Sequence, residues 1–293
     1  MKVSVIVPIY AVEQFIRQCA ESLFCQTWED IQYIFVDDGS PDRSVAVLQE
    51  VLDSHPERKS QVTIIHEDNK GLPQARMSGL RKATGDYVIH VDSDDWVEPD
   101  YISHLARKAL DTGADVVYCD FYKEYSSKPS KLYKEAELSP QDGPSAVKAV
   151  HANQMKAYMW NKLMRRSLYD LDSLFVPIHS FHEDIVFQTQ LLYDARLCVH
   201  LREPLYHYRR RRSGALTGSH VMRNRRYSAE NLLALYDALP KDEGPLTICG
   251  QDLLWRAAKY CCKTFDFKLL ASSPDAVNIL KNHIFAIWKK KEA

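Results

Sequence analysis

The sequence predicts an α/β fold in which a mostly parallel sheet is flanked by helices and followed by a small C-terminal helical appendage. Three observations support this prediction. Short apolar runs alternate with amphipathic helical segments over the first 120 residues, which is typical of a parallel sheet covered on both faces. Acidic pairs directly follow two of those runs. From about residue 221 onward, apolar residues recur at helical spacing.

The individual elements follow from the spacing of apolar residues. Short β-rich apolar runs predict strands at 2–9, 31–36, 62–66, 86–91 and 115–119. Recurrence every three to four positions predicts helices near 12–25, 42–53, 73–83, 99–112 and 183–195. Three more helical segments are expected near 221–239, 246–271 and 275–291. The stretch 123–145 is rich in Lys, Ser and Pro, so we expect a mobile connection or an insertion there.

Composition and charge exclude several classes of protein. The chain has 293 residues, a hydrophobic fraction of 45% and a formal net charge of -1, which predicts a globular protein without overall attraction to nucleic acid. Its seven cysteines include no Cys-x-x-Cys pair typical of zinc sites. No apolar run reaches the roughly 18 residues of a membrane span, and the N-terminal run is too short for a signal peptide. We expect a cytoplasmic protein that is at most peripheral on the inner face of the membrane.

Acidic residues follow two of the predicted strands. They are the pair Asp37-Asp38 and the cluster Asp92-Ser93-Asp94-Asp95. In open α/β sheets, ligands bind beyond the carboxyl ends of parallel strands. Three carboxylates within four residues repel one another, and a divalent cation that also bridges to a phosphate would relieve this repulsion. Mn²⁺ or Mg²⁺ suits such hard oxygen ligands. Alternatively, Asp94 or Asp95 caps the next helix or lines a polar turn.

Short motifs occur in a specific order along the first 120 residues. They are Pro8-Ile9-Tyr10, Gln26-Thr27, Val36-Asp37-Asp38-Gly39-Ser40, Asn69-Lys70-Gly71-Leu72, Ala75-Arg76, Gly79, Gly85-Asp86-Tyr87 and Val91-Asp92-Ser93-Asp94-Asp95. Sparser markers follow at Trp160-Asn161-Lys162-Leu163, Glu183-Asp184 and 206–209. In this order the chain resembles glycosyltransferase family 2. The resemblance implies a GT-A fold and inverting transfer from a nucleotide-diphosphate sugar donor to a glycan or lipid-linked acceptor.

The resemblance also implies a division of the chain and a donor site. A GT-A domain would cover 1–215, with a nucleotide-binding half at 1–120 and an acceptor half at 120–215, before a helical extension at 216–293. The implied donor-site residues are Pro8, Tyr10, Asp38, Arg76, Asp92, Ser93 and Asp94. Pro8 and Tyr10 would contact the base, Asp38 would accept a hydrogen bond from it, and Arg76 would lie near the base or diphosphate. Asp92 and Asp94 would hold ribose and metal, with Asp95 as the alternative metal ligand.

These positions also have simpler interpretations. Tyr10 is alternatively an ordinary boundary aromatic, and Arg76 alternatively pairs with an acidic neighbour on the surface. Asp37 alternatively stabilises the turn that follows it. The chain departs from many relatives at Ala11, where they have Asn after the tyrosine, so one turn-forming side chain is missing.

Inverting transfer needs a general base and a group that stabilises the departing diphosphate. Glu183-Asp184 stands at the start of a predicted helix, after an irregular segment at 176–182. The resemblance implies that Asp184 is the base and that Glu183 orients the acceptor. Alternatively, both acids are placed there because the helix N-terminus stabilises negative charge.

Several further residues have open assignments. Arg209 and Arg211 either reach the diphosphate or belong to a solvated basic face or lipid-binding patch at 209–212. By analogy Trp160 and Lys162 lie on the acceptor side, although Trp160 is equally explained as a core residue. The segment 276–291 is a core helix with a basic last turn, or an interfacial membrane helix.

Two other functions fit the sequence less well. A sugar nucleotidyltransferase would need a glycine-rich, basic loop after the first strand, and the segment 8–13 contains neither glycine nor a basic residue. The acids at 92, 94, 95 and 184 argue against a non-catalytic module that binds nucleotide-sugars or glycans. The donor sugar, its base, the acceptor and the oligomeric state stay open.

Overall fold

The computed structural model describes residues 1–136, 138, 140–210, 221–239, 245–264 and 266–282. The strands are β1 Val3–Ile9, β2 Ile31–Asp38, β3 Val62–Glu67, β4 Tyr87–His90, β5 Trp96–Val97, β6 Val116–Tyr125, β7 Lys128–Tyr133, β8 Lys162–Arg165 and β9 Cys198–Arg210. The helices are α1 Ile16–Phe24, α2 Ser44–Asp53, α3 Leu72–Lys82, α4 Tyr101–Thr112, α5 Gly143–His151, α6 Glu183–Tyr193, α7 Val221–Ala238, α8 Pro245–Thr264 and α9 Phe267–Ala271. Residues 274–282 are also helical.

The strands form one sheet in the order β3-β2-β1-β4-β8-β6-β9-β5, and β7 pairs with β6. Strands β3, β2, β1 and β4 are mutually parallel, which confirms the predicted mostly parallel sheet. β8 runs antiparallel to both β4 and β6, whereas β9 runs parallel to β6 and carries β5 antiparallel at its far side. The carboxyl ends of β1, β2 and β4 therefore meet at one edge of the sheet.

Helices cover both faces of the sheet because the central strands are apolar on both sides. All seven residues of β1 are buried. Its odd positions, from Val3 to Ile9, belong to one core with α1, α2 and α4, whereas Ile6 belongs to a second core with α3, α5 and α6. Alternate side chains of a strand point to opposite faces, so one apolar run supplies two cores. This is the burial expected of a parallel sheet between helical layers.

The segment 123–145, predicted as a mobile connection or an insertion, forms regular secondary structure over much of its described part. β6 continues to Tyr125 and forms a hairpin with β7. Tyr133, the last residue of β7, stacks on Phe121 of β6 at 4.6 Å between ring centroids and so stabilises the hairpin. The Gly143-Pro144 pair that suggested a loop forms the first turn of α5, after an Asp142 side chain that accepts a hydrogen bond from Ser145 N. Proline is tolerated at that position of a helix, so it marks a helix start here.

The helix predictions need two further corrections. α1 begins at Ile16, since Val12 N donates to Ser44 Oγ at 2.9 Å and residues 12–15 form a turn. The segment predicted as one helix at 246–271 divides into α8 and α9. Asp266 causes this division, because its side chain accepts a hydrogen bond from Leu269 N and caps α9.

Ala11, in the turn after β1, has a φ of +51°. A Cβ disfavours this left-handed conformation, and asparagine tolerates it better than alanine. We expect Ala11→Asn to raise the free energy of unfolding by about 0.5–1 kcal/mol, measured by urea denaturation. Asn153 has a φ of +60° and supplies the matched control, since Asn153→Ala should lower stability by a similar amount. Equal stability of Ala11→Asn and the native chain would contradict this account.

The C-terminal helices pack on the rest of the molecule through α6. Val186 of α6 belongs to the same apolar cluster as Leu232 of α7 and Leu254 of α8. In the described ranges, no helix combines the length and apolar character required to cross a bilayer. The segment predicted at 276–291 is described only to residue 282, and its lysines at 289–291 lie outside the described residues.

Candidate active site

The acidic loop lies at the carboxyl edge of the sheet, between β4 and β5. Asp92, Asp94 and Asp95 each offer a carboxylate oxygen, and these oxygens all lie within 4.8 Å of one another. A turn closed by the hydrogen bond from Asp95 N to Asp92 O, at 3.0 Å, brings them together. Ser93 is buried within this turn. Three hard oxygen donors at this spacing are a ligand set that suits Mn²⁺ or Mg²⁺.

Strand β9 holds the acidic loop in place. The Tyr206 hydroxyl accepts a hydrogen bond from Asp92 N at 3.1 Å and donates to Asp95 Oδ2 at 2.8 Å. Arg209 N donates to Asp95 Oδ1 at 2.7 Å. Burial, together with Asp94 and Asp92, raises the pKa of Asp95 well above its usual range. Hydrogen bonds to both carboxylate oxygens therefore fix the orientation of the Asp95 side chain. Asp94 is more exposed than Asp95.

Arg209 supports the same loop with its side chain. The guanidinium lies between the rings of Phe15 and Trp96, 5.0 and 4.7 Å from their centroids. Its Nε donates to the Asp94 carbonyl at 2.8 Å, and Nη2 donates to Gln18 Oε1 at 2.7 Å. These contacts place the side chain in the wall beside the acidic loop. Arg211, the other predicted diphosphate ligand, lies outside the described residues.

Arg76 connects the acidic loop with the predicted base. Its side chain is 1% exposed. Nη2 donates to Asp92 Oδ1 at 2.9 Å, and Nη1 donates to Glu183 Oε1 and to Asp184 Oδ1, each at 3.0 Å. Arg76 therefore does pair with acids, as the simpler interpretation proposed, but it does so in the interior and with three of them.

Burial and mutual repulsion shift the pKa values of this cluster. Burial raises the pKa of Asp92 to about 6, although Arg76 opposes the shift. Burial and the neighbouring Asp184 raise the pKa of Glu183 to about 8, again against Arg76. Burial alone would disfavour a charged Arg76, but Asp92, Asp184 and Glu183 raise its pKa above the usual range. The guanidinium opposes these upward shifts and so favours the ionised form of each acid.

Asp184 is the more exposed of the two acids at the start of α6, although Asp92 of the same cluster is 27% exposed. Its side chain is 21% exposed, compared with 8% for Glu183. Both acids lie in the first turn of α6, where the helix dipole favours negative charge. Burial raises the pKa of Asp184, while Arg76, Lys162 and the Met159 N–H lower it. A partly exposed carboxylate with a raised pKa is suited to accept a proton.

The loop before Asp184 is anchored by α7. Asn231 Oδ1 accepts hydrogen bonds from Ile178 N and His179 N, each at 3.0 Å. Its Nδ2 donates to the carbonyls of His179 and Phe181 at 2.9 and 3.1 Å. His179 also stacks on Tyr227, 4.0 Å between centroids. Asn231 was not predicted from the sequence, and the signal that could have found it is its place with Asn224 and Ser228 among the buried polar residues of α7.

The predicted base-binding end of the site lies where β1 and β2 end. Asp38 Oδ1 and Oδ2 accept hydrogen bonds from Lys70 N and Gly71 N at 2.7 and 2.9 Å. Burial nevertheless raises the pKa of Asp38. Tyr10 is 48% exposed, so its side chain is accessible to a ligand. Pro8, expected in the loop after the strand, instead lies buried within β1.

Two predicted acceptor residues are core residues. Trp160 is 1% exposed, and its ring stacks on Tyr206 and Tyr158 at 4.3 and 4.5 Å. No ring face is available to a sugar, so the core interpretation is correct. Lys162 is fully buried and donates to the carbonyls of Lys156 and Tyr158 at 2.6 and 2.9 Å. Burial lowers its pKa to about 8, and its hydrogen bonds tie β8 to the segment 156–158.

Comparison with known proteins places these features in a family. A model of glycosyl transferase family 2 matches residues 4–172, more than half of the chain. EpsH of Bacillus subtilis (strain 168), which is named as a glycosyltransferase, is 34% identical over 240 residues, covering 80% of this chain and 67% of its own.

Solved structures agree on the fold. The S. aureus TarS 1–349 complex with UDP-GlcNAc has a TM-score of 0.72 and 20% identity, covering 96% of this chain and 80% of its own. The mannosyltransferase PcManGT from Pyrobaculum calidifontis, solved with GDP-Man and Mn²⁺, has a TM-score of 0.59 and 16% identity. The match covers 99% of this chain and 81% of the PcManGT chain. By the family match and the EpsH relationship, the chain belongs to glycosyl transferase family 2, and it is a glycosyltransferase.

Proposed function

We propose that the protein transfers a sugar, with inversion, from a nucleotide-diphosphate donor to a hydroxyl of a glycan or lipid-linked acceptor. One observation carries the proposal. Arg76 joins Asp92 of the acidic loop to Asp184 at the start of α6, each within 3.0 Å. This contact supports the proposal because it holds the proposed diphosphate-binding loop beside the proposed proton acceptor.

For the donor side, we propose that Asp94 and Asp95 hold a divalent cation and that Asp92 and Asp94 contact the ribose. The oxygen spacing in the loop supports this assignment, and PcManGT was solved with Mn²⁺. When bound, Mn²⁺ or Mg²⁺ would supply Lewis-acid stabilisation of the departing diphosphate. The base would stack on the ring of Tyr10 and donate a hydrogen bond to Asp38. Each Asp38 oxygen keeps a free lone pair for this contact.

For the acceptor side, we propose that Asp184 is the general base. The acceptor hydroxyl would give its proton to an Asp184 oxygen while its own oxygen attacks the anomeric carbon from the face opposite the diphosphate. The bond from that carbon to the diphosphate oxygen breaks, and the nucleoside diphosphate leaves. A single displacement of this kind inverts the anomeric centre. Glu183, nearly buried beside Asp184, would share Arg76 and so fix the position of the base.

A screen tests the proposed function as a whole. The full chain is incubated with a panel of nucleotide-sugars and Mn²⁺, and hydrolysis and thermal stabilisation are measured. A true donor should raise Tm, because ligands that bind the folded state stabilise it, and should be hydrolysed slowly. No response to any donor in either measurement would overturn the proposal.

The metal assignment gives a separate prediction. Asp94→Asn should weaken Mn²⁺-dependent binding of the nucleoside diphosphate at least about tenfold, because a coordinating oxygen loses its charge. Calorimetry with UDP and GDP, with and without Mn²⁺, measures this change. Asp111→Asn removes an exposed carboxylate from α4 and should leave binding unchanged. If Asp94→Asn and Asp95→Asn both bind as the native chain does, the assignment is wrong.

A further inference from the structure

A cavity of about 480 Å³ opens at the β6–β7 hairpin. Three cations line it, Lys128, Lys131 and Arg210, together with two serine hydroxyls from the hairpin turn. Within the described ranges none of these three cations forms an ion pair with a carboxylate. Converging cations and hydroxyls without a counter-charge are the donor set that binds phosphate groups.

More positive charge lies directly behind the cavity. Lys123 faces Lys131 in the register of the hairpin, and like charges placed opposite each other destabilise a strand pair. Burial, followed by Arg210, Lys156 and Lys131, lowers the pKa of Lys123. The Lys123 ammonium lies over the Tyr133 ring, 4.0 Å from its centroid, which offsets part of this repulsion. An anion in the cavity would relieve the rest.

Two carboxylates of the β6–β7 region have other partners. Glu124 contacts His207 Nδ1 at 2.8 Å and the Ser130 hydroxyl. Glu135 is buried and accepts hydrogen bonds from Asn161 Nδ2 and Lys156 N, each at 3.1 Å. Among the described residues no carboxylate lines the cavity, which favours an external anion as the counter-charge.

A row of side chains on β9 connects the cavity with the acidic loop. Tyr206, Tyr208 and Arg210 occupy alternate positions and therefore share one face of the sheet. Tyr206 bonds Asp95 at one end of the row, and Arg210 lies over the ring of Tyr208 at the other, 5.5 Å from its centroid.

Arg209 N bonds Asp95 Oδ1 at 2.7 Å, so the β9 side of the cavity adjoins the acidic loop. Lys128 and Lys131 lie on β7, which β6 separates from β9, and two strand spacings amount to about 10 Å. The two lysines are therefore set apart from the acidic loop. Tyr208 also lies 5.8 Å from Tyr158 between ring centroids, and the pKa of Tyr158 is raised by burial, by Tyr208 and by the charge of Asp184, so the row leads toward Asp184 as well.

We propose that this cavity binds a phosphate group carried by the acceptor, so that the substrate class is a phosphate-bearing glycan or sugar phosphate. The inference rests on the proposed function, which supplies the acceptor. Arg210 and the two lysines hold the phosphate, and the acceptor extends along Tyr208 to bring its hydroxyl to Asp184.

Pyrophosphate binding tests this proposal without any transfer reaction. The full chain is titrated with inorganic pyrophosphate in EDTA-containing buffer by calorimetry, because without metal the acidic loop repels the probe. Lys128→Gln/Lys131→Gln should bind pyrophosphate at least about tenfold more weakly than the native chain. Arg81→Gln/Lys82→Gln removes the same charge from the exposed end of α3 and should bind as the native chain does.

Three results would overturn the proposal: no binding by the native chain, undiminished binding in the cavity variant, or equal loss in both double variants. Sedimentation with vesicles of equal parts phosphatidylglycerol and phosphatidylcholine tests whether the bound phosphate belongs instead to a lipid headgroup. If the cavity variant loses only vesicle binding, the surface meets membrane and the acceptor proposal fails. If pyrophosphate binds as expected but the donor screen shows no donor, the proposed function fails while the cavity assignment as a phosphate site stands.

Discussion

Replacing Asp184 with asparagine is expected to lower kcat for sugar transfer by about two to four orders of magnitude. The amide keeps an oxygen that accepts the hydrogen bond from Arg76 Nη1, but it cannot take the acceptor proton. Donor affinity should stay within about twofold of the native value, because Asp184 lies outside the acidic loop. Single-turnover rates and calorimetric titration with the donor nucleotide measure the two quantities separately.

Two variants make the assignment of the base specific. Asp194→Asn makes the same chemical change at the exposed C-terminal end of α6 and should leave the rate unchanged. Glu183→Gln should reduce the rate less than Asp184→Asn, since Glu183 is nearly buried. A near-native rate in Asp184→Asn, or a larger loss in Glu183→Gln, would assign the proton acceptor to another residue.

Replacing Arg76 with methionine is expected to lower the free energy of unfolding by about 3–5 kcal/mol at pH 8, because three buried or half-buried carboxylates lose their counter-charge. The loss should shrink as the pH falls. Without Arg76, the pKa values of these acids in the folded state rise further above their values in the unfolded state. Such acids do not destabilise the fold at a pH below their unfolded-state pKa, and they destabilise it increasingly as the pH rises above that value. With Arg76 present, the pKa values are already about 6 for Asp92 and about 8 for Glu183.

Urea denaturation at pH 5 and pH 8 measures this effect. Arg81→Met, on the same helix but exposed, should change stability by no more than about 0.5 kcal/mol at either pH. If Arg76→Met is as stable as Arg81→Met at pH 8, Arg76 does not neutralise the cluster. If its stability loss is larger at pH 5 than at pH 8, the sign of the linkage argument is wrong.

The fold of the first 120 residues was predictable because its signals are local. A strand such as β1 is apolar on both faces, and both faces are buried only if a layer of helices covers each of them. In α2 and α4, apolar residues recur at helical spacing. The acidic loop was placed correctly for the same reason, since the end of a parallel strand fixes where the next residues lie. The hairpin at β6–β7 was missed because its Lys, Ser and Pro residues resemble a loop, while its pairing partners are set by tertiary contacts.

The parts of the site that were missed depend on contacts between distant positions. Tyr206 lies more than 100 residues from Asp95, and Asn231 lies about 50 residues from the loop that it anchors. Nothing in the sequence around Trp160 distinguishes a ring that faces a sugar from a ring that stacks on Tyr206. Burial decides that question, and burial is a property of the assembled sheet.

The four hydrogen bonds of Asn231 have a consequence for how the gene can be recombined. Segment 176–182 takes its shape from α7, so the two pieces form one unit although 38 residues separate position 182 from the start of α7 at Val221. In chimaeras between family members, a crossover within that interval would pair the loop with a foreign helix and misplace Asp184. Crossovers before residue 176, or after α7 ends, would carry the loop and its anchor together.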